Sequence, residues 1–429
     1  MSAAGPGGEL ASRQQQLLAA AYLSRVAEPA SVPLWSFVAE QGYLAAAAAI
    51  RAGRVPDEVA ACTEARRQSA DPYADLEAAD RNDIRLLTPD DEQWPHFAFA
   101  ALHAAAGRRL AQWRAGYRSR PSRGELIPPL ALWVRGAAAL GTVGVNSVAM
   151  VGSRAATAYG EHIASEFAYG LARREVVLVS GGAYGIDAAA HRGALAADGV
   201  SILVSAGGLD RPYPSGNRGL YDRTAERGLL ISERPPGSAP HRQRFLSRNR
   251  LIAALGAVTL VVEAGQRSGA LNSAGYARDL GRPVLAVPGP VTSALSMGCH
   301  RLIQRDEQPA QLVTSVSEVL AFCGAPSSTT EPAAARLADN LGPGQHPIAT
   351  LAGYDSLDVV ARSVLDGFPA RSAVTESDLA RLSGQPIQAV IAALSVLRSL
   401  RLITASREGY RLARTDHGLV RTGQGSVSQ

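Results

Sequence analysis

Residues 148–187, VAMVGSRAATAYGEHIASEFAYGLARREVVLVSGGAYGID, constrain the fold more than any other stretch of the chain. Two apolar runs rich in β-branched residues, Val148–Val151 and Val176–Val179, each end in a turn of small residues. The segment between them, Thr157–Arg174, has helical character, so the unit reads strand–loop–helix–strand–loop. Parallel strands joined by one helix place both loops, Gly152–Arg154 and Ser180–Gly185, at the carboxyl edge of a single sheet. Open α/β sheets bind ligands at that edge. Backbone N–H groups at the two helix starts, together with Ser153, Arg154 and Ser180, predict a cradle for an anion.

The alternation continues downstream. Strands are expected at Val200–Ser205, Leu229–Ser232, Val258–Glu263 and Pro283–Val287, and helices at Asn217–Arg227, Arg250–Leu255 and Leu271–Leu280. Short strands separated by helices predict an α/β fold with a mostly parallel, doubly wound sheet. Upstream, Ile84–Leu87 and Leu132–Val134 read as short strands within a less regular region. Residues 106–123 there carry six arginines and no acid, which reads as a solvated surface insertion, with a secondary patch for a nucleic-acid backbone as the alternative. Residues 1–69 predict a helical packing module punctuated by Pro29, Pro33, Gly42 and Pro56, without the Gly-x-Gly turn of a DNA-binding helical hairpin.

The expected domain limits are therefore 1–69 for the helical module and 70–323 for the sheet domain. A Pro/Ala/Ser/Thr/Gly-rich linker spans 324–353. Residues 354–413 predict three helices and a two-stranded wing, a winged-helix pattern, and 414–429 an unstructured tail. The third helix of that pattern, IQAVIAALSVLRSL, is mostly apolar with Arg398 as its one cation, so contact with protein is as compatible with it as base reading.

Composition narrows the chemistry. The 43 basic residues are all arginine, so Schiff-base or depressed-pKa lysine chemistry is excluded and phosphate contacts fall to guanidinium groups or backbone. The +5 net charge is compatible with nucleic acid. Three separated cysteines without metal spacing suit a reducing compartment. With no apolar run long enough for a membrane span and no secretory signal pattern, a cytoplasmic location is expected. No metal or cofactor pattern occurs.

Several stretches carry candidate binding chemistry. GSR at 152–154 departs from G-x-G-x-x-G and no acid follows to hold a ribose, which argues against a dinucleotide. A cation at a helix mouth opposes the dipole unless an anion is bound, so Arg154 is the first choice of phosphate ligand. SGGAYGID at 180–187 supplies Ser180, Gly181 and Gly182 as an anion nest. Asp187 is read as a helix cap, with an Asp187–His191 pair at i, i+4 as a further possibility. GGLDRPYPSGN at 207–217 offers Arg211 as a charge, Tyr213 as a stacking face, and Asn217. HRQRFLSRNR at 241–250 holds Arg242, Arg244, Arg248, Asn249 and Arg250; Arg242 and Arg244 are expected to be exposed, Arg248 and Arg250 structural. Ser268 and Gly269 open a further helix, and VPGPV at 287–291 ends a strand.

Taken in order, VGSRAATAYG, SGGAYGIDAAAH, GGLDRPYPSGN, LLISERPPGSAP, FLSRNRLIAAL, VVEAGQRSGAL and AVPGPV resemble the DNA processing protein A (DprA/Smf) family from about Ile84 to Ile303. The resemblance implies an extended Rossmann-like domain, a homodimer, single-stranded DNA binding, and loading of the recombinase RecA during natural transformation, without catalysis. By position it implicates Arg154, the Gly152–Ser153 backbone and the Ser180–Gly182 loop as phosphate binders, with Arg192 and Arg211 in place of lysines. Phe245–Leu246 and Asn272–Ser273 depart from the family's Phe-Pro and Ile-Thr. The alternative reading is a Rossmann-like nucleotide-processing enzyme of the phosphoribohydrolase type, whose P-G-G-x-G-T signature this chain lacks.

Overall fold

A computed structural model of the chain describes residues 6–117, 124–323 except 142, 144 and 145, and 359–419 except 369–372, 400–402, 407–408, 413 and 416–417. The expected linker lies outside the described residues. Tertiary contacts group the chain into two units, one of Met1–Leu76, Pro240–Phe245 and Ala349–Gln429, the other of Glu77–Ala239 and Leu246–Ile348.

The larger unit is built on nine strands: β1 (Arg85–Leu87), β2 (Leu132–Arg135), β3 (Ser147–Val151), β4 (Val177–Ser180), β5 (Ser201–Ser205), β6 (Leu229–Ser232), β7 (Val258–Val261), β8 (Val284–Ala286) and β9 (Gln311–Leu312). They form one sheet in the order β1-β2-β6-β5-β4-β3-β7-β8-β9. From β6 to β9 every pairing is parallel, while β1–β2 and β2–β6 are antiparallel. This is a Rossmann-like α/β architecture. Successive strands step outward from β3 to β6 on one side and from β7 to β9 on the other, so the order reverses between β3 and β7.

The strands read as continuous apolar runs because both sheet faces are covered. Ala149 and Val151 of β3 enter one buried cluster with Val179, Val204, Ile231 and Val261. Val148 and Met150 enter a second with Leu178, Val258 and Leu260. Helix Ala158–Ala172 supplies Ala164, Phe167, Ala168 and Leu171 to that second cluster.

Three sequence expectations change. The first part of the arginine-rich segment is the end of a helix, His96–Arg114, whose Ala98, Phe99, Leu102, Ala105, Ala106 and Arg109 form one buried stripe, and Arg118, Arg120 and Arg123 lie outside the described residues. Arg109 is not solvated: its Nε and Nη2 donate to the Glu125 carboxylate at 2.8 and 3.0 Å. The helix expected from Arg250 begins at Arg242 and runs to Leu255, since Arg, Gln and Leu are strong helix formers whatever else they do. Helices Met297–Ile303 and Val316–Leu320 and the two-residue edge strand β9 were not expected; each is too short to show a period.

The smaller unit opens with helices Pro6–Val26, Val32–Gln41, Tyr43–Arg51 and Asp57–Thr63. Its C-terminal part contains helices Val359–Asp366, Glu376–Ser383 and Ile387–Ser399 and an antiparallel pair, Ile403–Ser406 with Gly409–Leu412. Val364, Leu365, Leu379, Val390, Leu394 and Leu397 close a separate core there. A short antiparallel pairing of Arg414–Thr415 with Gly418–Leu419 lies inside the stretch expected to be unstructured. Among the described residues no helix is long and apolar enough to cross a membrane.

Candidate nucleic-acid interface

The loops after β3 and β4 meet at the carboxyl edge of the sheet. Ile186 N–H donates to Ser153 O at 3.2 Å, and Gly185, at φ 72°, lies so close to the Ser153 and Arg154 carbonyls that a Cβ would collide with them. The loop after β7 joins from the other side of the switch point, with Ser153 N–H donating to Glu263 O at 2.7 Å. Asn217 carries the 207–217 loop to the same place: its Nδ2 donates to the carbonyls of Gly182 at 3.0 Å and Ala183 at 3.3 Å. Four separate sequence stretches therefore converge on one edge.

The helix mouth after β3 is already filled by one of the chain's own carboxylates, and a second carboxylate lies in the first turn of the helix after β4. Glu263, buried at 2 % exposure, accepts from Thr157 N–H and from the Thr157 hydroxyl, each at 2.8 Å. It thereby closes the positive end of helix Ala158–Ala172. Asp187 lies in the first turn of helix Ile186–Ala196 and accepts from Ala183 N–H at 3.4 Å. Burial pushes the Asp187 carboxyl up, opposed by the charges of Arg248 and, more weakly, Arg154. Burial pulls Arg248 down to about 10, which leaves it protonated at neutral pH.

These contacts correct the expected cradle. Ser153 N–H is spent on Glu263 O, and Ser180 is fully buried with its hydroxyl donating to Met150 O at 2.6 Å. Gly181 and Gly182 are buried, and Gly181 rests directly on the Arg248 guanidinium. Arg248 donates to Val204 O at 2.7 Å, so it forms the floor of the loop and not its rim. Asp187 and His191 do not pair; His191 Nδ1 lies 2.6 Å from Ser201 Oγ, and burial pulls the imidazole down to about 3.

The arginines of the 241–250 stretch divide differently from expectation. Arg250 is wholly buried and bidentate to Glu233 at 2.6 Å. Arg244, expected to be exposed, is buried in the smaller unit, with Nε and Nη2 donating to Glu28 at 2.9 and 2.6 Å. Arg242 is exposed, in the smaller unit. Asn249 donates to Asn272 Oδ1 at 3.2 Å, and Ser268 Oγ accepts from Ala270 N–H at 3.3 Å, a local turn contact at the start of helix Ala270–Asp279.

Arg154, Arg192 and Arg211 are exposed. Arg192 lies 3.8 Å from Glu161, and Arg211, at 79 % side-chain exposure, lies 3.5 Å from Asp210. Tyr213 is half-buried, and its carbonyl accepts from the Tyr221 hydroxyl at 2.7 Å. Two exposed residues escaped the sequence reading: Arg267, on the loop after β7, and Tyr184, between Gly182 and Gly185. Both stand inside the glycine-containing motifs VVEAGQRSGAL and SGGAYGIDAAAH.

The family model for DNA recombination-mediator protein A matches residues 116–324. A Mycobacterium tuberculosis protein assigned to DprA is 44% identical over 398 residues, covering 93% of this chain and 95% of that one. The chain belongs to the DprA/Smf DNA processing protein family. The X-ray structure of DprA from Streptococcus pneumoniae superposes with a TM-score of 0.54 at 29% identity, covering 70% of this chain and 95% of that one. A Helicobacter pylori DNA processing protein A, solved to describe its single-stranded DNA binding mode, matches 48% of this chain and 92% of its own at 30% identity and TM-score 0.42. In this DprA/Smf chain the family's glycine-rich motifs are thus seen to organise a loop platform whose floor is a buried guanidinium and whose rim carries exposed arginines and tyrosine.

Proposed function

We propose that this chain binds single-stranded DNA across the carboxyl edge of the β3–β7 sheet, without catalysis, and presents it to RecA recombinase during DNA uptake or recombination. The observation that carries the reading is the distribution of charge at that edge. The Glu263 carboxylate occupies the mouth of helix Ala158–Ala172 and Asp187 lies buried in the first turn of the other helix, while Arg154, Arg192, Arg211 and Arg267 stand exposed. The closed mouth of helix Ala158–Ala172 disfavours a compact di- or triphosphate there, whose recognition uses those N–H groups. Spaced guanidinium groups suit the phosphates of an extended strand, and an aromatic on the rim suits its unstacked bases.

In this reading Arg154, Arg192, Arg211 and Arg267 contact phosphates, with Tyr213 and the Ser268–Gly269 turn beside them. Gly152, Ser153, Ser180, Gly181, Gly182, Asn217, Arg248 and Asn249 shape the platform from below. Arg244 and Arg250 serve the fold. The three C-terminal helices with their strand pair act as a winged-helix module, the working form is a cytoplasmic homodimer, and no membrane is involved.

A labelled oligonucleotide titrated with the full chain, single-stranded in one series and duplex in the other, tests the proposal. Tighter binding of the single strand, weakening steeply with salt, is expected. Absence of single-strand binding, or release of free base from nucleoside monophosphates, would overturn it in favour of a nucleotide-processing enzyme.

A further inference from the structure

We infer that Tyr184 is a base-stacking residue that makes the site recognise nucleobases and not phosphates alone, an inference that rests on the single-stranded-DNA reading above. Tyr184 is 51 % exposed, in the loop between β4 and helix Ile186–Ala196. An exposed tyrosine is by itself unremarkable, since single apolar residues are scattered over every surface. What separates this one is how firmly it is held.

The backbone on both sides of Tyr184 is fixed. Gly182 and Gly185 take φ values of 70° and 72°, a region that side-chain-bearing residues rarely adopt. The carbonyls of Gly182 and Ala183 both accept from Asn217 Nδ2, and the Gly185 backbone is wedged against the carbonyls of Ser153 and Arg154. The outer end of the side chain rests against a second loop. The Tyr184 hydroxyl, Cζ and Cε1 lie over Gly216, where an added Cβ would stand 2.5 Å from the hydroxyl oxygen and 3.4 Å from each carbon. One edge of the ring therefore leans on the 207–217 loop, and the exposure belongs to the rest of it.

A pre-positioned ring surrenders little rotational freedom when a flat partner docks, so stacking costs less there than on a mobile side chain. The neighbours are suited to the same ligand. Arg154 is exposed on the adjoining loop, and Tyr184 and Arg154 both act electrostatically on Tyr213, after burial. A cation for a phosphate and an aromatic face for the attached base stand together. In a duplex both base faces are covered by stacking, so the residue favours single strands and tolerates any sequence, because every base has a π-face.

The test compares a labelled oligothymidine with an abasic oligonucleotide of equal length and charge. The natural chain is expected to prefer the base-bearing strand by about tenfold, the range of one stacked base. Tyr184→Ala and Tyr184→Leu should lose that preference while binding the abasic strand as the natural chain does, and Tyr184→Phe should keep it. Retention of the preference in Tyr184→Leu, or equal weakening for both strands, overturns the inference and leaves single-strand binding standing. Failure of either strand to bind the natural chain overturns the underlying function, and the inference with it.

Discussion

The carboxylate of Glu263 occupies the N-terminus of the helix that follows Thr157, accepting from the Thr157 N–H and hydroxyl at 2.8 Å each. A residue from β7's end thus locks the loop of β3 across the point where strand order reverses. The position in which a nucleotide-binding fold of this type receives a phosphate is held by a side chain. Replacing Glu263 with Gln keeps the shape and removes the charge, and it is expected to cost about 1–2 kcal/mol of stability, as lost caps and helix-dipole contacts do. Urea unfolding monitored by circular dichroism measures this.

Gly181→Ala places a methyl group against the Arg248 guanidinium, which cannot swing aside because it is buried and donates to Val204 O at 2.7 Å. Overpacking of this kind costs about 1–3 kcal/mol. The variant should unfold at lower urea than the natural chain, and Gly219→Ala, where nothing lies within 4 Å of the new methyl, serves as the control.

Arg154→Ala should weaken single-strand binding and flatten its salt dependence, by about 0.7 in the slope of log K against log salt for one lost phosphate contact. Arg244→Met should leave that slope unchanged while lowering stability, because Arg244 is buried against Glu28. Binding titrations over a salt series separate the two outcomes.

His191 predicts an acid sensitivity. Its folded pKa is pulled by burial to about 3, below the 6.5 of the unfolded chain. Between those values the unfolded state binds a proton that the folded state does not, so stability is present above pH 6.5 and is lost as pH falls towards 3. The slope reaches at most about 1.4 kcal/mol per pH unit. His191→Gln should show a shallower decline over that window in urea midpoints measured against pH.

The strands were legible in the chain because burial of both sheet faces leaves an unbroken apolar run, as in Leu229–Ser232 and Val148–Val151. The glycine-rich turns were legible because positive φ at Gly182 and Gly185 restricts which residue can stand there. The two short late helices and β9 were not, since segments of two to seven residues display no period.

Charge was the least legible property, and the reason is physical. An arginine carries the same letter whether it meets water, a phosphate or a carboxylate brought from far along the chain. Arg154 and Arg250 look alike in sequence. Packing sends Arg250 to Glu233 and to Ile127 O, wholly buried, and leaves Arg154 at the surface. The sequence by itself determined the parallel sheet, the loops gathered at its carboxyl edge and the family. The tertiary structure alone decided which cations face that edge, because ion pairing joins residues that sequence spacing does not relate. It also decided that Glu263 closes the mouth of helix Ala158–Ala172 and that Asp187 is buried in the first turn of the next helix, while Arg154 stays exposed.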